Sequence, residues 1–405
     1  MRRRIIALIL LSVFLITTAS CTSHNETNIT DNNTKSETDR QKTLENPIVL
    51  KDKLGTKLGE IDNQANFTAV DGGIFYSIFT LKENSYTGEA EYRFFSLSNK
   101  TDVYLGKLED QGYEASFART ELNGVVYTLA VKGYPMGGDA VPLLLLGFDT
   151  ANKTMKTYTV SENGFPYAAM TASSGKLIIM NHEMTAEKTD KIYEFDPEAE
   201  TVKEVLTFSS SSDSLRGVCA AENGFYLLRL KLNGGGQNEM YVDRYDEKYS
   251  KISEHPVSDI LVGAIKDVQG ILSRQDALNE VGMNVSRFSV IDGRYMVYEN
   301  FGLSRVVVDL QTNEKIIAKD DNYSISKGSG APVIYRLDFD ADNVSEPEIF
   351  SIENGKLKAV LFTPDDAHKL IQSVTVSKDG TTAVLTSDTF PVQNGTRVIQ
   401  IVSAN

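Results

Sequence analysis

Phe67-Thr68-Ala69-Val70-Asp71-Gly72-Gly73-Ile74-Phe75-Tyr76-Ser77 sets a short apolar run, a glycine turn and a second apolar run end to end. The same grammar recurs at Asn123-Gly124, Ser174-Gly175, Asn223-Gly224, Asp292-Gly293, Gly328-Ser329-Gly330 and Asp379-Gly380. Counted between the last glycines of successive anchors, beginning at Gly73, the steps are 51, 51, 49, 69, 37 and 50 residues. Glycine and asparagine accept the positive φ of a tight hairpin, so each anchor predicts two antiparallel strands joined by a short turn. The first unit continues with a strand over Ile74 to Leu81, a polar loop over Lys82 to Ala90, and a third strand over Tyr92 to Leu97. Asn99-Lys100 then turns the chain into a fourth strand, Val103 to Leu108. Four strands repeated about every fifty residues predict a radial array of blades.

Working outward, the third strand of several units ends in an acid: Asp149, Asp196, Asp246 and Asp309. These read as turn formers that bond their own backbone rather than as a site. The seventh unit supplies three strands, and Ile48-Val49-Leu50 is expected to add the fourth and close the ring. The predicted fold is all-β, a seven-bladed array of four-stranded antiparallel blades over residues 47–405. The steps of 69 and 37 flank a segment, 256–286, that looks inserted. Asp259 to Leu272 and Arg274 to Val281 have helical spacing there, with Ile260, Leu261, Ile265, Val268 and Leu272 able to share one face. Strands in that segment would instead make an eighth blade. The pattern resembles the bacterial β-propellers. Val376-Ser377-Lys378-Asp379-Gly380 is similar to the serine–x–aspartate–glycine turn of propellers related to the periplasmic translocation protein B, and the other turns are similar to kelch-like blades. The chain has no tryptophan, so the signature of WD repeats is absent.

Residues 1–20 read as an export signal. Arg2, Arg3 and Arg4 precede an apolar stretch from Ile5 to Ile16 that is too short for an ordinary spanning helix. Thr18-Ala19-Ser20-Cys21 resembles the lipobox of bacterial lipoproteins, with Thr18 where that family usually has leucine. The resemblance implies that Cys21 carries lipid, palmitate included, and becomes the mature N-terminus. An ordinary secretory signal followed by an unmodified cysteine is the alternative. Residues 21–46 are polar, with Ile29 and Leu44 their only large apolar side chains, and are expected to be a disordered tether. The protein is thus expected at the cell membrane, anchored on its extracytoplasmic face. Two cysteines give no disulfide framework, and Cys219, in the run Gly217-Val218-Cys219-Ala220-Ala221, reads as a small buried hydrophobe. The formal charge of −14 becomes −17 once the three leader arginines are gone. Such a body is a poor partner for nucleic acid or for an anionic lipid surface, leaving the anchor as the membrane contact.

In a four-stranded meander the loop between strands two and three opens on the same face as the connection between blades. Those loops are the long ones here: Lys82 to Ala90, Lys132 to Pro142, Glu183 to Asp190, Lys231 to Glu239, Asp338 to Pro347 and Thr389 to Thr396. The turns on the opposite face are expected to span two to four residues. Recognition residues therefore belong on the long-loop face. Asp338, Asp340 and Asp342, with Glu346, place oxygen ligands at positions one, three, five and nine of a hairpin loop, as a hard cation such as calcium requires. The loop resembles the calcium hairpins of integrin-type propellers, with Asn343 in place of glycine and Glu346 in place of aspartate; a solvated acidic hairpin is the alternative. His182 stands beside Glu183 at the mouth of a long loop, but neighbours on a strand point to opposite faces. No metal-protease, nucleophile-elbow or nucleotide-binding motif is present, and no catalytic residue or organic cofactor is indicated. The expected function is non-catalytic binding or scaffolding of an envelope protein or carbohydrate. The alternative is a hydrolase or lyase acting on polysaccharide or peptidoglycan through paired carboxylates or His182.

Overall fold

The structure is a computed structural model of the chain. It describes residues 63–403 apart from 84–86, 100, 134–139, 165–167, 184–187, 234–237, 270–272, 275, 279–284, 301–303, 318–322, 327–333, 337–348, 354–355, 361–368, 379–381 and 390–396. Cys21, the tether, the strand expected at Ile48-Val49-Leu50 and the loop carrying Asp338, Asp340, Asp342 and Glu346 lie outside the described residues.

Strands β1 (Asn63–Val70), β2 (Gly73–Leu81), β3 (Gly88–Ser96) and the first half of β4 (Thr101–Leu122) form blade one. The second half of β4 begins blade two, which continues through β5 (Val125–Lys132), β6 (Val141–Asp149) and β7 (Thr154–Gly164). Blade three is β8 (Ala169–Ser173), β9 (Lys176–Glu183), β10 (Thr189–Asp196) and β11 (Thr201–Ser209). Blade four is β12 (Asp213–Ala221), β13 (Gly224–Lys231), β14 (Glu239–Tyr245) and β15 (Lys251–Pro256). Blade five runs β16 (Val285–Ile291), β17 (Tyr295–Asn300), β18 (Ser304–Asp309) and β19 (Lys315–Ile317). Blade six runs β20 (Tyr323–Ile325), β21 (Ile334–Arg336), β22 (Ile349–Glu353) and β23 (Lys356–Val360). Blade seven holds β24 (Lys369–Val376), β25 (Thr382–Thr389) and β26 (Arg397–Ser403). Strands pair antiparallel with their sequence neighbours in every sheet. The fold is an all-β propeller.

The anchors do the turning. Leu122 pairs with Val125 and Ser173 with Lys176, leaving Asn123-Gly124 and Ser174-Gly175 as two-residue turns in which both members have positive φ. That twist matches the strands it joins. The acids ending the third strands cap the next turn: Asp149 accepts from the amides of Ala151 and Asn152, Asp196 from Glu198 and Ala199, and Asp246 from Lys248 and Ser250.

Middle strands are buried on both sides, which explains their near-continuous apolar runs. The core lies between blades. Phe75, Tyr92 and Phe148 fill the gap between blades one and two, and Leu129, Leu145 and Phe195 that between two and three. Ile178, Ile192 and Leu227 meet between blades three and four, and Leu228, Met296 and Tyr298 between four and five. Cys219 belongs to the last cluster, and burial pushes its thiol pKa up, so it packs as an inert small hydrophobe. Between β15 and β16 the chain forms helix α1 (Ser258–Gln269), whose Leu261 and Val262 are buried in the same cluster. This helical connection accounts for the long step of 69, and the three-residue strands β19 and β20 for the short step of 37.

Two expectations change. β4 runs unbroken past Leu108, serving both blades, where two separate strands were predicted. In blade six, Ile325 pairs with Ile334, so the connection there spans eight residues and not the two to four expected of that face.

Blade one meets blade seven. β1 packs against β24 and β25, and the Ala69 amide donates to Thr375 Oγ1 at 2.8 Å across the seam. Both residues are buried, so the amide has no ready substitute. Thr375→Val should therefore lower unfolding stability by about 1–3 kcal/mol in urea titrations, while Thr375→Ser retains most of it.

Candidate binding rim on the long-loop face

The long loops leave blade three between Glu183 and Thr189. Thr189 pairs with Glu183, Asp190 with His182 and Lys191 with Asn181. Period-two alternation sends His182 and Asp190 toward blade four and Glu183 and Lys191 toward blade two. His182 and Glu183 are accordingly not a pair.

Asp190 ties three elements together. Its Oδ1 accepts from His182 Nδ1 at 2.8 Å and from Ser210 Oγ at 2.9 Å. Its Oδ2 accepts from the Leu215 amide at 2.6 Å and from Ser214 Oγ at 3.1 Å. Ser210 lies in the connection out of blade three, and Ser214 and Leu215 lie on β12, the inner strand of blade four. Burial on its own would raise the Asp190 pKa, but the hydrogen bond and charge of His182, with the Leu215 amide and Ser210, hold it below the ordinary carboxylate value.

Glu183 does the same on the other side. It accepts from Ser161 Oγ at 2.8 Å and Tyr193 OH at 2.6 Å and pairs with Lys191 Nζ at 3.0 Å. Burial again works to raise its pKa and is outweighed by those donors. Tyr193, buried and bonded to Glu183, is pushed up to about 12. In blade four Arg229 crosses the whole sheet. It bonds Asp243 on β14 and Asp213 on β12, each at 2.5 Å, and Glu254 on β15 at 2.7 Å, while its guanidinium lies 5.1 Å from the centre of the Tyr241 ring.

These arrangements limit the chemistry. A general acid at neutral pH needs a raised pKa, and Asp190 and Glu183 are both lowered. Ser210 and Ser214 each donate to the Asp190 carboxylate, so neither gives its proton to the imidazole as a nucleophile would. Among the described residues no group of three histidine, cysteine or acidic side chains could hold a metal. The loop tips Tyr134 to Asp139 and Gly234-Gly235-Gly236 lie outside the described residues, as do His24 and His368. His255 meets Asn313 at 3.3 Å on the surface. A shallow cleft of about 200 Å³ between blades three and four opens on the opposite, tight-turn face, lined in part by Ser174, Lys176, Glu194, Glu247 and Tyr249. Its charges are already engaged, Ser174 with Glu247 and Lys176 with Glu194.

Asp190 escaped sequence reading because its partners lie in the next blade, 24 and 25 residues away. On composition it is indistinguishable from the turn-capping acids.

No protein-family model matches the chain, and no curated protein matches it. Among solved structures it is similar to the β-propeller domain of the Trilobed protease from Pyrococcus furiosus, a domain with an open velcro topology. That likeness has 10% identity over 85% of this chain and 96% of that one, with a TM-score of 0.49. It is also similar to the polysaccharide lyase Uly1, at 9% identity over 84% and 90% of the two chains, with a TM-score of 0.48. An oligogalacturonate lyase from Vibrio parahaemolyticus gives 12% identity over 86% and 92%, with a TM-score of 0.46. Strand pairing by itself defines the blades.

The Asp190 carboxyl is held below its unfolded value, so as pH falls the unfolded chain takes up this proton first. The stability Asp190 contributes is complete above about pH 5 and is lost as pH drops through the folded value. Asp190→Ala should cost roughly 3–5 kcal/mol in urea unfolding near pH 7, because it strands the Leu215 amide and His182. Asp190→Asn should flatten the acid limb of the stability curve relative to the natural protein.

Proposed function

We propose that this chain is an exported lipoprotein, anchored through Cys21, whose propeller is a non-catalytic module binding an envelope protein or carbohydrate on the long-loop face. The observation that carries the reading is the state of Asp190 and Glu183. Both stand at the mouth of a long loop, both are buried, and both are ionised acceptors committed to donors within the fold. Carboxylates used this way stiffen the rim that displays the loops, and a rigid scaffold lowers the entropy cost of recognition. The leader and the Thr18-Ala19-Ser20-Cys21 stretch support the anchor, and the polar tether gives the body reach from a membrane.

The mature body, immobilised and exposed to its own envelope fraction, should retain a protein or carbohydrate in a saturable way. Shortening the loops at 184–187 and 234–237 should abolish retention without lowering the melting midpoint. Equal retention by the loop-shortened variants contradicts the reading, as does release of new saccharide ends from the envelope fraction on incubation with the protein.

A further inference from the structure

Arg216 has no counterpart to the partners that satisfy Arg229. Its Nε is buried without a hydrogen bond, and among the described residues the side chain makes no ion pair. Burial lowers its pKa from the ordinary arginine value, yet a guanidinium remains charged at any physiological pH. Arg216 is half-buried, and a cation partly withdrawn from water with an unsatisfied Nε carries a desolvation cost that nothing in the fold offsets. The acid nearest to hand cannot serve. Asp190 acts on Arg216 through space, but its two oxygens already accept four hydrogen bonds, the full capacity of a carboxylate.

The position of Arg216 is equally informative. Leu215 pairs with Arg229 and Gly217 with Leu228, so Arg216 is the extra residue of a β-bulge on the inner strand of blade four. Bulges re-aim a side chain at the rim of a sheet. Arg216 senses Asp190 of blade three and Tyr298 of blade five. β12 is the first strand of blade four and touches β8 and β16, the first strands of the neighbouring blades, which places Arg216 on the innermost ring of strands. A Cβ on Gly217, the next residue, would lie 2.8 Å from Phe288 Cβ, so β12 and β16 touch beside Arg216. Asp213 and Ser214, which precede Arg216 on β12, place this stretch at the long-loop end of the strand.

We propose that Arg216 receives an oxyanion, the carboxylate or phosphate group of a ligand entering the ring from the long-loop face. A guanidinium presents paired N–H groups that match the two oxygens of either group. The proposal deepens the binding-face reading and rests on it for the direction of entry.

The test uses the mature chain in thermal melts and calorimetric titration with two probes, inorganic phosphate and galacturonate, against chloride at matched pH and ionic strength. At least one probe should give a saturable rise in the melting midpoint, and the probe that does so identifies the preferred group. Arg216→Met, which keeps the bulk and removes the charge, should lose the response. Arg216→Lys should weaken it at least tenfold, since a single ammonium lacks the paired geometry. No response beyond chloride in the natural protein overturns the proposal, and so does an equal response in Arg216→Met. Should Arg216→Met fail to fold, an unchanged affinity in Arg216→Lys overturns it. Loop-shortened variants should keep the anion response, because Arg216 stands on a strand. Envelope capture that survives loop shortening therefore defeats the binding-face reading, whereas a flat anion response in an otherwise capturing protein defeats only this site.

Discussion

Each blade has two apolar faces and only its neighbours to cover them. That constraint decides the rest of the structure. A four-stranded sheet such as β12 to β15 cannot bury both Leu227 and Leu228 against itself, since they project to opposite sides. It needs blade three on one side and blade five on the other. The same need passes from blade to blade until blade one must meet blade seven, and there Ala69 and Thr375 join across the seam. A chain stopping short of closure would leave sheet edges and apolar faces open to other chains.

Polar groups follow the same geometry. Near the long-loop face, where the apolar filling gives out, adjacent blades are held by buried acceptors: Glu183 with Ser161 from the end of blade two, and Asp190 with Ser214 and Leu215 from the start of blade four. These bonds tie β9 to β7 and β10 to β12 at the base of the long loops. Arg229 performs a comparable service within one blade, binding the four strands of blade four through Asp213, Asp243 and Glu254. Arg216 stands apart because it takes no part in this network, which is what makes it the informative residue of the rim.

The repeat was legible because the turn chemistry is local: Asn123-Gly124 and Ser174-Gly175 carry the positive φ their composition announces. Capping acids such as Asp149 and Asp196 were legible for the same reason, their partners lying two and three residues on. The continuity of β4 was not, since nothing in the composition near Glu109 and Asp110 tells a turn from a strand that leaves one blade and enters the next. Nor was the bulge at Arg216, which exists only in register with β13. The role of Asp190 depends on a neighbour blade that the chain reaches later, so no window of sequence around it contains the information.

Closure of the ring is the claim on which scaffold and rim both depend, and native-state amide exchange followed by mass spectrometry tests it most directly. The account predicts that peptides from β1 and β24 are protected to the same degree as those from β8 and β12, which sit inside the continuous part of the ring. Rapid exchange of β1 and β24 while β8 and β12 remain protected would show an open seam and contradict it.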